Sequence, residues 1–162
     1  MLDYLGIFKE LNASNIRYII VGGMAVNLHG VPRMTYDVDL LLDLEDRNIE
    51  RFIRLLSSWG FKPKVPVKIE EFADGAKRND WITNKNMKAF NLVNPGWAIR
   101  EIDVLIDSPV DFAKADKGKK VVVIQGVPVP VIGIDDLIFM KERTDRQQDA
   151  ADVRSLKELR DE

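Results

Sequence analysis

The 162-residue sequence contains no cysteine and a single histidine, His29. Without thiols there is no disulfide framework, no thiolate zinc site and no cysteine nucleophile, and one imidazole falls short of the ligand set a zinc centre uses. Long apolar runs are missing too. None approaches the ~20 residues that span a bilayer, and the opening MLDYLGIFKE carries acids rather than a basic-then-apolar leader. Nor is there an excess of positive charge. The 24 Lys and Arg against 26 Asp and Glu leave a formal −2, so no overall field favours nucleic acid, though a local basic patch is compatible with that figure. Repeats, low-complexity tracts and long linkers are also lacking. What remains, 46% hydrophobic and 31% charged, is the composition of a single domain over residues 1–162 with a substantial core, expected in a reducing cytoplasm.

Periodicity organises the chain. Tyr4, Leu5, Phe8 and Leu11 recur at helical spacing, and Asp3 can cap a helix over 3–13. IRYIIVGG reads as a buried strand ending in a tight turn, and MAVNLHG as a short helix stopped by Gly30. Residues 36–42 form a second strand, with Asp37, Asp39 and Leu41 on one face and Val38, Leu40 and Leu42 on the other. Ile49, Phe52, Ile53 and Leu56 mark a helix over 46–59 that Gly60 ends. Pro63, Pro66 and Gly75 interrupt 61–86, where only short helical turns are expected. MKAFNLV and IREIDVLID predict two strands joined through Asn94-Pro95-Gly96. VVVIQGVPVPVI predicts a strand, a turn at Gly126 and a proline-bearing edge strand. Two helices, near 135–144 and 147–160, close the chain. The fold class is α/β (α+β): a mixed β-sheet with helices packed on it and antiparallel pairing in its middle.

The chemistry concentrates in acids at strand positions. Asp37 and Asp39, at i and i+2, project to the same side of one strand, ~6–7 Å apart at the backbone. Two bare carboxylates held so close repel, and either one takes up a proton or a divalent cation lies between them. Magnesium, an oxygen-seeking ion often held by one or two carboxylates plus phosphate, suits this. Alone, the pair equally describes a solvated sheet edge. Two features add to it. Gly22-Gly23, ending a buried strand before a helix, lets backbone N–H groups approach a phosphate, although an ordinary strand-to-helix turn has the same appearance. Asp103 lies within another apolar strand, where an acid requires a partner or a metal. Its plain alternative is an ion pair with Arg33 or Arg100.

The run VGGMAVNLHGVPRMTYDVDL resembles the signature of the polymerase-β-type nucleotidyltransferase superfamily. It is most like the small prokaryotic branch with a GG…HG..R.T.D.D pattern, which includes nucleotidyltransferase toxins of toxin–antitoxin and abortive-infection systems. The tail GIDDLIFMKERTDRQQDAADVRSLKEL resembles that branch's closing pattern, so the likeness spans about residues 17–160. The resemblance implies a nucleotidyltransferase-like fold in which Asp37 and Asp39 ligate metal. Asp103 would activate the attacking hydroxyl or share a second metal, and Gly22 and Gly23 would form the nucleotide turn. Many members place a phosphate-binding serine where Gly23 stands, so phosphate here would rely on backbone N–H groups. The implied cofactor is Mg²⁺ or Mn²⁺ and the implied substrate a nucleoside triphosphate. The acceptor is a hydroxyl on tRNA, protein or a small molecule. A partner protein or a homodimer would supply the acceptor recognition that so short a chain leaves little room for.

Further residues are read two ways. Arg33 could neutralise a triphosphate or form a structural ion pair, and Thr35 falls on the face of Asp37. Lys141 could contact triphosphate or pair with Asp149 and Asp152, two acids on an inward helix face that need a partner. His29 satisfies a local turn or touches phosphate. Trp59 reads as core, and Trp81, beside Lys77 and Arg78, is the better base-stacking candidate of the three tryptophans that include Trp97. Two other functions compete with transfer: an inactive binding or regulatory module of the same fold, and a hydrolase that uses water as acceptor.

Overall fold

A computed structural model describes all of residues 1–162. Its centre is a seven-stranded mixed sheet built from β1 (Tyr18–Val21), β2 (Val38–Leu42), β3 (Lys62–Pro63), β4 (Ala89–Val93), β5 (Glu101–Leu105), β6 (Lys120–Ile124) and β7 (Val127–Val131). Their order across the sheet is β3-β4-β5-β2-β1-β7-β6. β2 runs antiparallel to β1 but parallel to β5, and β4 returns antiparallel beside β5. The four residues of β1 are all buried, in keeping with a central strand covered on both faces.

Seven helices surround the sheet: α1 (Tyr4–Ala13), α2 (Gly22–Leu28), α3 (Asp46–Ser58), α4 (Gly75–Lys85), α5 (Phe112–Gly118), α6 (Ile134–Lys141) and α7 (Gln147–Arg160). Asp3 caps α1 by accepting from the Gly6 N–H at 2.8 Å. The stripe expected on α3 holds, with Ile49, Phe52 and Leu56 fully buried. No helix is long and apolar enough to cross a membrane.

Three expectations change. Residues 61–86 hold more order than short turns: a 3₁₀ helix over Ile69–Ala73 leads into the eleven-residue α4. Asp74 starts that helix by accepting from Ala76 N–H at 2.9 Å, so Gly75 stands at a capped helix start rather than at a break. The added helix α5 follows the same rule, with Asp111 accepting from Lys114 N–H. The proline-bearing strand β7 is second from the edge, and β6 is outermost. Pro128 and Pro130 are tolerated because β1 meets β7 only at Val131, and the Pro128 carbonyl accepts instead from the Asn12 side chain at 2.8 Å.

The tryptophans also resolve. Trp81 is buried, stacked on Phe90 with ring centroids 5.3 Å apart, so it is core and not a base platform. Phe72 stacks on the same Phe90 at 4.9 Å, and Arg78 donates to the Phe72 carbonyl. Trp59 packs against Trp97 at 5.5 Å on the edge of the core. Truncating Trp81 to alanine is expected to cost ~3–5 kcal/mol, as for other buried large aromatics, read as a thermal melt.

Candidate active site

Strand register builds the site. Asp39 on β2 lies directly beside Asp103 on β5, and Asp103 lies beside Asn91 on β4. Because β2 and β5 are parallel, two residues earlier Asp37 comes alongside Glu101. The sequences Asp37-Val-Asp39 and Glu101-Ile-Asp103 therefore set two acid pairs next to each other on one face, with Val38 and Ile102 buried behind them.

Single carboxylate oxygens of Asp37, Glu101 and Asp103 lie within 4.8 Å of one another, close enough to share one cation. Asp39 stands outside that group, level with Asp103 across the two strands. Glu101 completes an arrangement that the sequence pattern assigns to Asp37, Asp39 and Asp103. Its signal is present in the chain, since Glu101-x-Asp103 repeats the spacing of Asp37-x-Asp39. Asp103 does not pair with Arg33 or Arg100; it accepts from Asn91 Nδ2 at 2.7 Å.

Charge crowding shows in the acidities. Burial, then repulsion by Asp37, pushes Asp39 up to about 6, against the opposing hydrogen bond with Asp103 and the positive charges of Lys141 and Arg146. Burial also pushes Asp103 up to about 8; the Asn91 hydrogen bond opposes this, while Glu101 and Asp39 add to it. Asp37 is raised by burial and by Glu101, with Lys64 opposing. A cluster that burial, and after it mutual repulsion, drives toward the protonated form, with only oxygen ligands and rigid strands beneath it, fits a divalent cation.

The glycine turn serves this cluster through close approach. Gly22 has φ +67°, and a Cβ there would lie 2.1 Å from Asp39 Oδ2. At Gly23 a Cβ would meet the Arg33 guanidinium at 2.4 Å and Thr35 Oγ1 at 3.1 Å. The Arg33 guanidinium thus fills the space that a serine side chain at position 23 would enter. Gly22→Ala is expected to destabilise the fold by ~1–3 kcal/mol and to displace the Asp39 carboxylate, measurable as a lower melting temperature and weaker Mn²⁺ binding.

Behind the acids lies a buried ionic network. Lys141 is 7% exposed and donates to Asp149 at 2.9 Å and to Asp152 at 3.0 Å. Asp149 also accepts from Thr144 and Arg146, and Asp152 from Arg33 and Gln148. The pairing anticipated for Asp149 and Asp152 is therefore formed, and Arg33 belongs to it. One nitrogen of Arg33, Nε, is buried without a partner. His29 Nε2 lies 2.7 Å from the Ile132 carbonyl, so it ties α2 to the end of β7 rather than facing the acids.

Just before Asp37 in the chain, Arg33, Met34, Thr35 and Tyr36 line an open cavity of ≈ 400 Å³ together with Tyr4, Phe8, Met24, Asn27 and Leu28. The Tyr4 hydroxyl donates to the Tyr36 carbonyl at 3.2 Å, and burial and the nearby charge of Asp37 both raise its pKa. No carboxylate lines this cavity.

Solved structures of similar shape bear on the arrangement. The lincomycin-bound lincosamide antibiotic adenylyltransferase LnuA superposes with TM-score 0.63 at 16% identity, over 94% of this chain and 93% of that one. ANT(2'')-Ia in complex with adenylyl-2''-tobramycin does so with TM-score 0.57 at 18% identity, over 95% and 90%. The chain has the nucleotidyltransferase fold. A nucleotidyltransferase-like protein from Paracoccidioides brasiliensis shares it, with TM-score 0.57 at 21% identity over 96% of this chain and 72% of that one. No family model and no curated protein matches the sequence. Within that fold, the paired acids of this chain sit on adjoining strands next to its glycine turn.

Proposed function

We propose that the protein is a metal-dependent nucleotidyltransferase that moves a nucleoside monophosphate from a nucleoside triphosphate to a hydroxyl acceptor. The observation that carries this reading is the four-carboxylate face made by Asp37, Asp39, Glu101 and Asp103 in a nucleotidyltransferase fold. Asp37, Asp39 and Asp103 would hold Mg²⁺ or Mn²⁺. When bound, such ions neutralise phosphate oxygens and acidify the attacking hydroxyl. Asp103, whose carboxylate oxygen lies in the converging group, would take the proton from that hydroxyl. The acceptor oxygen then bonds to the α-phosphorus while the bond to the bridging oxygen of the β-phosphate breaks, and pyrophosphate leaves. Gly22 and Gly23 offer backbone N–H groups to phosphate, and the guanidinium of Arg33 stands beside them with Thr35. Lys141, held by two acids, contributes its field at Asp39.

The apolar cavity lined by Tyr4 and Tyr36 supports a small, ring-bearing, hydroxylated acceptor over a polycation, because it offers aromatic and thioether walls and no carboxylate. That agrees in class with the lincomycin-bound neighbour. A tRNA or protein acceptor in a toxin–antitoxin setting, in the cytoplasm and with a partner protein or a second copy completing the site, is the alternative that the GG…HG..R.T.D.D pattern supports. One observation favours the inactive binding module: Arg33 and Lys141, the cations available to phosphate, are already paired with Asp149 and Asp152.

The test is incubation with labelled nucleoside triphosphates, Mg²⁺ or Mn²⁺, and total RNA, cell extract or a panel of hydroxylated small molecules. Metal-dependent label transfer that is lost in Asp37→Ala and Asp39→Ala is the expected result. No transfer, together with no metal-induced rise in melting temperature, overturns the reading. Phosphate release without transfer assigns hydrolysis instead.

A further inference from the structure

This inference rests on the metal-site reading above and extends it to two residues outside the expected set. Glu101 lies level with Asp37 across parallel strands, and its carboxylate belongs to the converging group of oxygens. The same carboxylate accepts from Lys64 Nζ at 3.2 Å. Glu101 is the sole ion-pair partner of Lys64, whose side chain is 60% exposed. The backbone beneath is fixed, since the Lys64 N–H donates to the Asn91 carbonyl at 2.9 Å and Asn91 itself holds Asp103. A long, flexible cation is thus anchored at its root beside the acids, with its head resting on one of them.

We propose that Glu101 is a fourth metal-binding carboxylate and that Lys64 is its exchangeable counter-ion, neutralising Glu101 until a divalent cation takes its place. Exposed ion pairs are weak and screened by salt, so this one yields readily to a compact double charge. The Lys64 ammonium is also close enough to feel Asp103 and Asp37, so its charge competes with a cation at the whole cluster. A merely decorative surface pair would leave metal affinity unchanged when broken.

Mn²⁺ titration of the nucleotide-free protein, with free ion followed by electron paramagnetic resonance, tests this independently of turnover. Glu101→Gln should weaken binding by about tenfold or more. Lys64→Met should tighten it by about three- to tenfold at low salt, the effect of deleting one like charge a few ångströms away, and the gain should shrink in about 0.5 M KCl. Lys64→Arg should behave as the parent, and the Lys64→Met gain should vanish in the Glu101→Gln background. Thermal melts of each variant establish that it is folded. Unchanged affinity in Glu101→Gln, or unchanged or weaker affinity in Lys64→Met, overturns the proposal. If Asp37→Asn abolishes Mn²⁺ binding while both of those variants bind as the parent does, this inference falls and the metal site stands. If the parent protein binds no Mn²⁺ at all, both fall together.

Discussion

Asp103→Asn is expected to slow nucleotidyl transfer severely and, in the same protein, to raise the stability of the metal-free form at pH 8. The two effects have one cause. Asp103 is 9% exposed, and burial with neighbouring acids lifts it to about 8, far above the ~3.9 of an unfolded aspartate. Between those values the folded chain holds a proton that the unfolded chain has released. The stability from that proton is fully present below about pH 4 and is lost as pH rises through about 6 for Asp39 and about 8 for Asp103. A tenfold difference in proton affinity between the folded and unfolded chain corresponds to ~1.4 kcal/mol, and relaxation around the site offsets part of it. A gain of ~2 kcal/mol, or ~4–8 °C in melting temperature, is the expected size for asparagine at pH 8. The substitution keeps an acceptor oxygen for Asn91, so the local hydrogen bond survives. Activity should fall by ~10²–10⁴-fold, the usual cost of losing general base catalysis. A variant that transfers label at the parent rate, or that melts lower at pH 8, would remove Asp103 from the role given to it. Adding Mg²⁺ should stabilise the parent protein at pH 8 and leave Asp103→Asn nearly unmoved.

The second large effect belongs to Lys141. Substitution by methionine keeps the volume but removes the charge that two nearly inaccessible acids, Asp149 and Asp152, both use. Breaking a buried ionic network from one side costs ~3–5 kcal/mol, because the remaining charges lose compensation. For a chain of this length that is a fall of ~6–20 °C in melting temperature. Asp149 keeps Thr144 and Arg146, and Asp152 keeps Arg33 and Gln148, so the lower half of that range is expected. Hydrogen bonds and the Lys141 and Arg146 charges, outweighing burial, hold the Asp149 carboxyl below the ordinary range. In the parent that contribution is present above about pH 4 and is lost as pH falls through the lowered value. In Lys141→Met it is diminished, so the deficit should narrow on acidification. Lys141→Met with Asp149→Asn should recover a good part of the loss. Equal melting of parent and Lys141→Met would show the network to be neutral.

The sequence alone carried much of this. Apolar alternation and the Asp-x-Asp spacing placed Asp37 and Asp39 at the head of a buried strand, because side-chain direction in a strand follows from position. Asp103 was legible as an acid among Ile102, Val104 and Ile106, where a charge needs a reason. Asp149 and Asp152 were legible in the same way. Local capping also sets α4 and α5, but neither was read from the sequence: Pro63, Pro66 and Gly75 obscured the first, and the acceptors that start them are the Asp74 and Asp111 carboxylates.

What only the tertiary structure decided is which of these groups meet. Glu101 repeats the spacing of the first acid pair, but its importance depends on β5 lying parallel to β2 in the one register that sets Glu101 against Asp37. Lys64 reaches that cluster from the position just after the two-residue strand β3, a segment with no signal of its own. Arg33 fills the space left by Gly23 and turns to Asp152 across 119 residues of chain. Trp81, promising for its basic neighbours, turned inward because the face it shares with Phe90 had a hydrophobic layer to complete. Residue identity and spacing set what each strand and helix offers to its faces. Register and packing, which depend on every element at once, set which offers coincide.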